Sequence, residues 1–166
     1  MARKTSFYAI CPLGLEAMLA DELKACGAQE IKPVRGGVFF SGPQACAMRA
    51  CLNSRLASRI LMRLASSDYY DEEDIYNFAC RTKWEEHFGP EKSIRIDITS
   101  HRSPLRSLDF TLLRIKDGIC DRFNHFMQTR PDVDRTHPDI RIFAFVDQRY
   151  CTFYLDMCGA ALFKRG

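Results

Sequence analysis

The segment from Arg102 to Gly166 carries Arg102, Arg106, Arg114, Lys116, Arg141, Lys164 and Arg165 among apolar and proline-bounded stretches. An arginine engages a phosphate through two nitrogens of a planar fork, whereas a lysine acts as a mobile point charge. Such a set can hold a polyanion without reading its sequence. Each member alone is an ordinary solvated cation, and Arg114 with Asp117 at i and i+3 has a local ion pair as its competing account. The chemistry on offer is anion binding, carried by the set.

Other chemistries find less support. His101 lies near Asp97 and Ser100, and His137 near Asp134 and Asp139, but nearness in sequence does not supply the hydrogen-bond geometry of proton transfer. Asp132, Asp134 and Asp139 lack the glycine pattern of a metal loop, and capping or loop hydrogen bonds explain them better. The eight cysteines include no Cys-x-x-Cys pair and the four histidines no structural-site spacing, so no metal is expected. Without an export signal the cysteines read as reduced thiols acting as small core hydrophobes, Cys120 among them. No catalytic residue and no cofactor-binding residue is assigned.

The elements that must position the cations follow from periodicity. Phe7–Ile10 reads as a strand, and Leu15, Met18, Leu19, Leu23 and Cys26 mark a helix from about Leu13 to Cys26, closed by Gly27 in a left-handed conformation. Strands over Glu30–Val34 and Val38–Phe40 flank a Gly36-Gly37 turn, Pro43 opens a second helix reaching toward Arg55, and Ser58–Leu64 returns as a strand. Strand, helix, strand, strand, helix, strand is the order of a ferredoxin-like unit.

A helix starts at the acidic cluster Asp71–Asp74, with Trp84 and Phe88 as core aromatics beneath it. Ile94, Ile96 and Ile98 alternate along a strand, and Leu108, Leu112, Ile115, Ile119, Phe123 and Phe126 form one stripe of a long helix that also carries Arg106, Arg114 and Lys116, capped by Ser107 or Ser103. Pro131 and Pro138 bound a loop before a hairpin of Ile140–Val146 and Tyr150–Asp156. Phe143, Phe145, Phe153 and Tyr154 lie in that hairpin, at least one face of it packing on the long helix. No aromatic pair like that of an RNA-recognition-motif sheet is expected.

At 166 residues, 46% hydrophobic and 27% charged, the composition is that of a globular protein of one domain or two small ones. No apolar run approaches the roughly 20 residues that span a bilayer, so no membrane partner is expected and the cytoplasm is the expected location. The net charge of +3 is uneven: residues 71–91 hold seven acids against two bases, while the segments on either side are basic. A face that docks phosphate should avoid Asp71–Asp74.

Taken together, Arg130-Pro131, Val133-Asp134, Pro138-Asp139-Ile140-Arg141, Leu155-Asp156, Gly159, Leu162 and Lys164-Arg165-Gly166, set behind a basic helix, resemble the THUMP domain, an RNA-binding module of RNA-modifying enzymes. Gly14-Leu15-Glu16, Glu22-Leu23, Gly36-Gly37-Val38-x-Phe40 and Arg55-Leu56-Ala57-Ser58-Arg59-Ile60 resemble the small amino-terminal domain of large-subunit rRNA guanine methyltransferases. The resemblance implies an α+β chain, with a ferredoxin-like domain over residues 1–65 packed with an α/β THUMP domain over residues 66–166. It implies structured RNA, most often rRNA, as partner of Arg102, Arg106, Arg114, Lys116, Arg141, Lys164 and Arg165. It further implies an attached catalytic domain, using S-adenosylmethionine to methylate guanine N2, that would begin near Gly166. The family's Asn-Pro-Pro-Tyr-type tetrapeptide and a glycine-rich cofactor loop do not occur here, so this chain alone is expected to bind no cofactor and transfer no methyl group. A THUMP module of a tRNA methyltransferase or thiouridine synthetase, and a stand-alone protein-binding adaptor, are the rival readings.

Overall fold

The computed structural model describes residues 5–158. Two compact units are present, one of residues up to Arg63 with the segment from Leu155 onward, the other Leu64–Tyr154. The first contains β1 (Thr5–Ile10), α1 (Glu16–Ala25), β2 (Gln29–Val34), β3 (Gly37–Gly42), α2 (Gln44–Asn53) and the start of β4 (Arg59–Asp68). Its strands lie in the order β2-β3-β1-β4, β1 being antiparallel to both neighbours, which is the ferredoxin-like arrangement. Alternation puts Phe7, Ala9, Val38, Phe40, Ile60 and Met62 on one buried face, and Leu19, Leu23, Cys46, Ala47 and Ala50 are the buried residues of the helices.

Local chemistry explains where these elements begin and end. α1 starts at Glu16 and not near Leu13, because Pro12–Leu15 form a turn and the Glu16 carboxylate accepts the Gly14 and Gly36 N–H groups at 2.9 and 2.8 Å. Those bonds, Gly36's first, hold its carboxyl below the usual range. The far end closes as expected: Gly27 has φ +94°, its N–H bonds Lys24 O, and Ala28 N–H bonds Leu23 O, the paired bonds of a Schellman cap. Glu22 takes the Ser54 hydroxyl at 2.6 Å, tying α1 to the end of α2.

The β2–β3 turn differs by one residue from the expected Gly36-Gly37. Val34 pairs with Gly37, leaving Arg35-Gly36 as the turn with Gly36 at φ +84°. Gly37 is a strand residue for a packing reason: a Cβ there would lie 2.5 Å from the Ala9 carbonyl oxygen and 2.6 Å from the Tyr8 ring.

The second unit holds the end of β4, then α3 (Glu72–Arg81), a 3-10 turn at Trp84–Glu86, β5 (Ile94–Ser100), α4 (Leu108–Met127), β6 (Ile140–Val146) and most of β7 (Tyr150–Asp156). β4 extends past the expected Leu64 to Asp68. The strand order is β4-β7-β6-β5, with β5 and β6 parallel, so β5-α4-β6 is a crossover unit. α3 begins with the Asp71/Asp74 capping box. Trp84 is core, as expected: fully buried, its indole N–H donates to Ala79 O at 2.8 Å, and its ring is 5.2 Å from Phe153, which stacks on Phe78. Ile115, Ile119 and Phe123 form the buried stripe of α4, but Phe126 is 61% exposed and lies under the Arg122 guanidinium. The helices α3 and α4 meet at Gly118, where a Cβ would come 2.6 Å from Ala79 Cβ.

The expectation that all cysteines are free thiols fails for one pair. A disulfide joins Cys51, in α2, to Cys158, just beyond β7, with Cα atoms 5.5 Å apart. The two lie 107 positions apart, and no local spacing announces the link. Under oxidising conditions peptide mapping should recover Cys51 joined to Cys158, with Cys11, Cys26, Cys46, Cys80, Cys120 and Cys151 free. Reduction should then cost about 2–4 kcal/mol of stability. An unshifted melting midpoint after reduction of the mapped species would contradict this.

Candidate nucleic-acid interface

The parallel pair β5–β6 organises the basic residues. Arg141 is the second residue of β6, half-buried, and stands in register with Arg95 of β5. Two like charges directly opposite repel. Arg95 resolves this by turning to Asp97 at 3.2 Å and to the Arg135 carbonyl oxygen at 2.9 Å. With Asp109, Leu112, Lys116 and Arg135, Arg95 and Asp97 line a cleft of about 510 Å³. Lys116 is partly exposed and only loosely placed against Asp117, at 3.8 Å.

The loop from Pro131 to Pro138 lines this cleft with Val133 and Arg135, and carboxylates that sequence reading assigned to capping hold the loop and its exit in place. Asp134 accepts the backbone N–H groups of Thr136 and His137, which keep its carboxyl below the usual range, and Asp139 accepts from Ser93. Val133 adds a parallel bridge to Ile94, covering the start of the β5 edge. Cys120 is buried beside Pro131, and burial raises its thiol, as befits a core residue.

A second cluster sits at the carboxyl ends of β5 and β6. Arg102 follows β5 with φ +57° and shares a cleft of about 320 Å³ with His101, Asp147, Gln148, Arg149 and Tyr150. Tyr69 pins this end, donating to Asp147 O and meeting the Ser103 hydroxyl at 2.7 Å. Asp147 is occupied by the Arg149 and Tyr150 N–H groups, which lower its carboxyl. Arg106 is exposed and precedes the Ser107 cap, so it is not on the helix as expected; the hydroxyl of Ser107, not of Ser103, accepts the Phe110 N–H. Five strand steps separate Arg95 from Ser100 at the end of β5, so the two clusters lie toward opposite ends of a strand roughly 17 Å long over that stretch. Arg102 lines the second cluster and Lys116 the first; Arg141 stands in register with Arg95 of the first, and Arg106 lies in the loop four residues beyond Arg102.

Arg114 is spent internally. Its guanidinium forks onto Glu73 at 3.0 and 3.1 Å, bonds Asp117 at 3.0 Å and covers the Tyr76 ring at 4.1 Å. The acidic start of α3 therefore does not face away from α4 at this point, contrary to expectation, because α3 packs along it through Gly118. Arg102, Arg106, Arg141 and Arg149 make no ion pair among the described residues. Arg149 escaped sequence reading as part of a turn; its position beside Arg102 becomes visible only once the β6–β7 hairpin is placed against the loop after β5. Lys164 and Arg165 lie outside the described residues.

The same geometry bears on the cofactor of the resembling enzymes. The loop between β5 and α4, residues 101–107, contains no glycine, and a cofactor cradle at such a crossover needs bare backbone. That loop therefore offers no glycine cradle for S-adenosylmethionine. No helix among them is long and apolar enough to cross a membrane.

Comparison with known proteins agrees with both halves. Residues 6–61 match the RlmL ferredoxin-like domain, and residues 69–156 match the THUMP domain. The ribosomal RNA large subunit methyltransferase K/L of Aeromonas salmonicida is 42% identical over 159 residues, covering 96% of this chain and 22% of that protein. The chain thus spans about a fifth of the length of the K/L relatives it matches. Among solved structures, a predicted N6-adenine-specific DNA methylase from Listeria monocytogenes superposes with TM-score 0.79 at 19% identity, over 93% of this chain and 40% of that one. SMU.472, a putative methyltransferase complexed with SAH, gives 0.80 at 18%, over 94% and 42%. These two share the fold. With one domain match covering more than half its length, the chain belongs to the THUMP family, and its THUMP domain follows an RlmL-type ferredoxin-like domain.

Proposed function

We propose that this chain docks structured RNA, most naturally rRNA, for an S-adenosylmethionine-dependent guanine-N2 methyltransferase domain that it does not itself contain. One observation carries the reading: on the THUMP unit Arg102, Arg106 and Arg141 are without acidic partners among the described residues, whereas Arg95, Arg114 and Arg122 are locked to carboxylates. Cations left unneutralised are the ones able to exchange counterions for phosphates. Lys116 adds a further cation at the first cluster, beside the Arg95 cleft. Phosphate contacts position a nucleic acid without reading it, so the target base is chosen elsewhere, by RNA shape and by the catalytic part. Residues 1–65 and 66–166 are the two modules of this reading, and the cytoplasm is where they would meet ribosomal RNA.

Purified chain should bind a folded large-subunit rRNA fragment in preference to a tRNA acceptor stem or an unstructured homopolymer. Incubated with labelled S-adenosylmethionine and unmodified rRNA, it should transfer no label. Preference for tRNA would move the chain to a tRNA-modifying enzyme; transfer by the pure chain would overturn the docking role.

A further inference from the structure

We propose that the open face of the ferredoxin-like sheet is a second nucleic-acid contact, which stacks unpaired RNA bases on Phe39 and Tyr8. The inference rests on the RNA-docking reading and deepens it. β3 and β1 are the two central strands of the unit, and Phe39 pairs directly with Tyr8 across them, the ring centroids 4.5 Å apart and tilted by 36°. Phe39 is 39% exposed, while its neighbours in the same strands, Phe40 and Phe7, point to the opposite face and are buried. Sequence reading expected no aromatic pair of this kind. Phe39 looked like one more apolar residue in a run, and only the register sets it beside Tyr8.

Two details make the pair a platform and not a stray patch. Gly37 stands two residues before Phe39, on the same face, and its missing side chain leaves room for the Tyr8 ring, whose Cζ and Oη would otherwise meet a Cβ at 2.6 Å. A bare strand position thus lets the tyrosine lie down over the sheet. Charge then chooses the occupant. Lys32 of β2 is exposed and in register with Phe39, so cation and ring are one strand spacing apart, about 4.8 Å. Arg63, also exposed, is two positions beyond Leu61, which is opposite Tyr8. At the β4 end the row closes on Leu61, which is fully buried, so the open part is β2-β3-β1. An exposed ring on one central strand, set against a half-buried one on the next and flanked by cations that take the linking phosphates, suits a single strand of nucleic acid: each base has a π face, and stacking tolerates any sequence.

The test compares a blunt RNA hairpin with the same hairpin carrying a single-stranded extension, using wild type, Phe39→Ala and Phe39→Trp. Wild type should favour the extended RNA by about tenfold, Phe39→Ala should erase that preference, and Phe39→Trp should keep it. Affinity for the blunt hairpin and its salt dependence should be the same in all three. A uridine-bearing extension should photocrosslink to the peptides containing Tyr8 or Phe39. Equal wild-type affinity for both RNAs, or an intact preference in Phe39→Ala, overturns the platform and leaves the docking reading standing. Equal loss on both RNAs in Phe39→Ala assigns the residue a structural role and also overturns it. A change confined to self-association assigns the face to protein and overturns the platform as well. If wild type binds neither RNA, the docking reading fails first and the platform with it.

Discussion

Replacing Gly118 with leucine should lower the melting midpoint of the THUMP unit by on the order of 10 °C. The backbone of α4 approaches α3 so closely there that a Cβ would sit 2.6 Å from Ala79 Cβ and 2.9 Å from the Tyr76 carbonyl oxygen. Backbone on the far side cannot yield as a flexible side chain can, so the helices must part. Overpacking of this kind costs about 1–3 kcal/mol, and each kcal/mol moves the midpoint of a domain this size by roughly 4–8 °C. Alanine should do less harm, because its gain of about 1 kcal/mol in helix propensity offsets part of the clash. Thermal unfolding followed by Trp84 fluorescence reads this unit. An unchanged midpoint for Gly118→Leu would show that α3 and α4 do not pack as described.

The largest electrostatic effect should come from Arg122→Ala. Arg122 of α4 grips Glu85 through two bonds of 2.6 and 2.7 Å, donates to Cys80 O at 2.8 Å and covers Phe126 at 4.8 Å from the ring centre. Its side chain is 12% exposed and that of Glu85 is 25% exposed, so screening by water is limited. Losing charge-assisted bonds of this type costs about 2 kcal/mol. The pair also sets an acid limit. Bonding to Arg122 lowers the Glu85 carboxyl, so its stabilisation is complete above the unfolded carboxyl value near 4.3 and is lost as pH falls through the lower folded value. Wild type should therefore lose part of its advantage over Arg122→Ala below about pH 4, and the two melting curves should converge there. A constant gap down to acid pH would mean that the arginine acts by packing alone.

How far these features were legible before the structure depends on the range of the interaction. Gly27, a serine cap for the long helix and the acidic start of α3 depend on residues close in sequence, and periodicity with Gly and Pro signals placed each α-helix and strand to within a few residues, though not the 3-10 turn at Trp84–Glu86. Trp84 was assigned to the core because a large ring amid apolar periodicity has nowhere cheaper to go. What escaped notice spans units of tertiary distance. Gly37 seemed a turn residue because the ring it accommodates is contributed by another strand. The partner of Arg114 at i+3 was visible, but Glu73, 41 positions away and the stronger grip, was not. The same contact separates the basic set into residues consumed by the fold and residues left for a ligand, which no reading of charge along a line can do.

That separation is what the docking role depends on, and a salt titration tests it most directly. With a folded rRNA fragment, log K should fall linearly with log salt, and replacing Arg102, Arg106 and Arg141 together by alanine should flatten the slope by up to about one unit for each phosphate no longer engaged. Arg114→Ala should leave the slope as in wild type and show itself as lower thermal stability. A triple variant with full affinity and an unchanged slope, or an Arg114→Ala variant that flattens the slope as much as the triple does, would contradict the assignment.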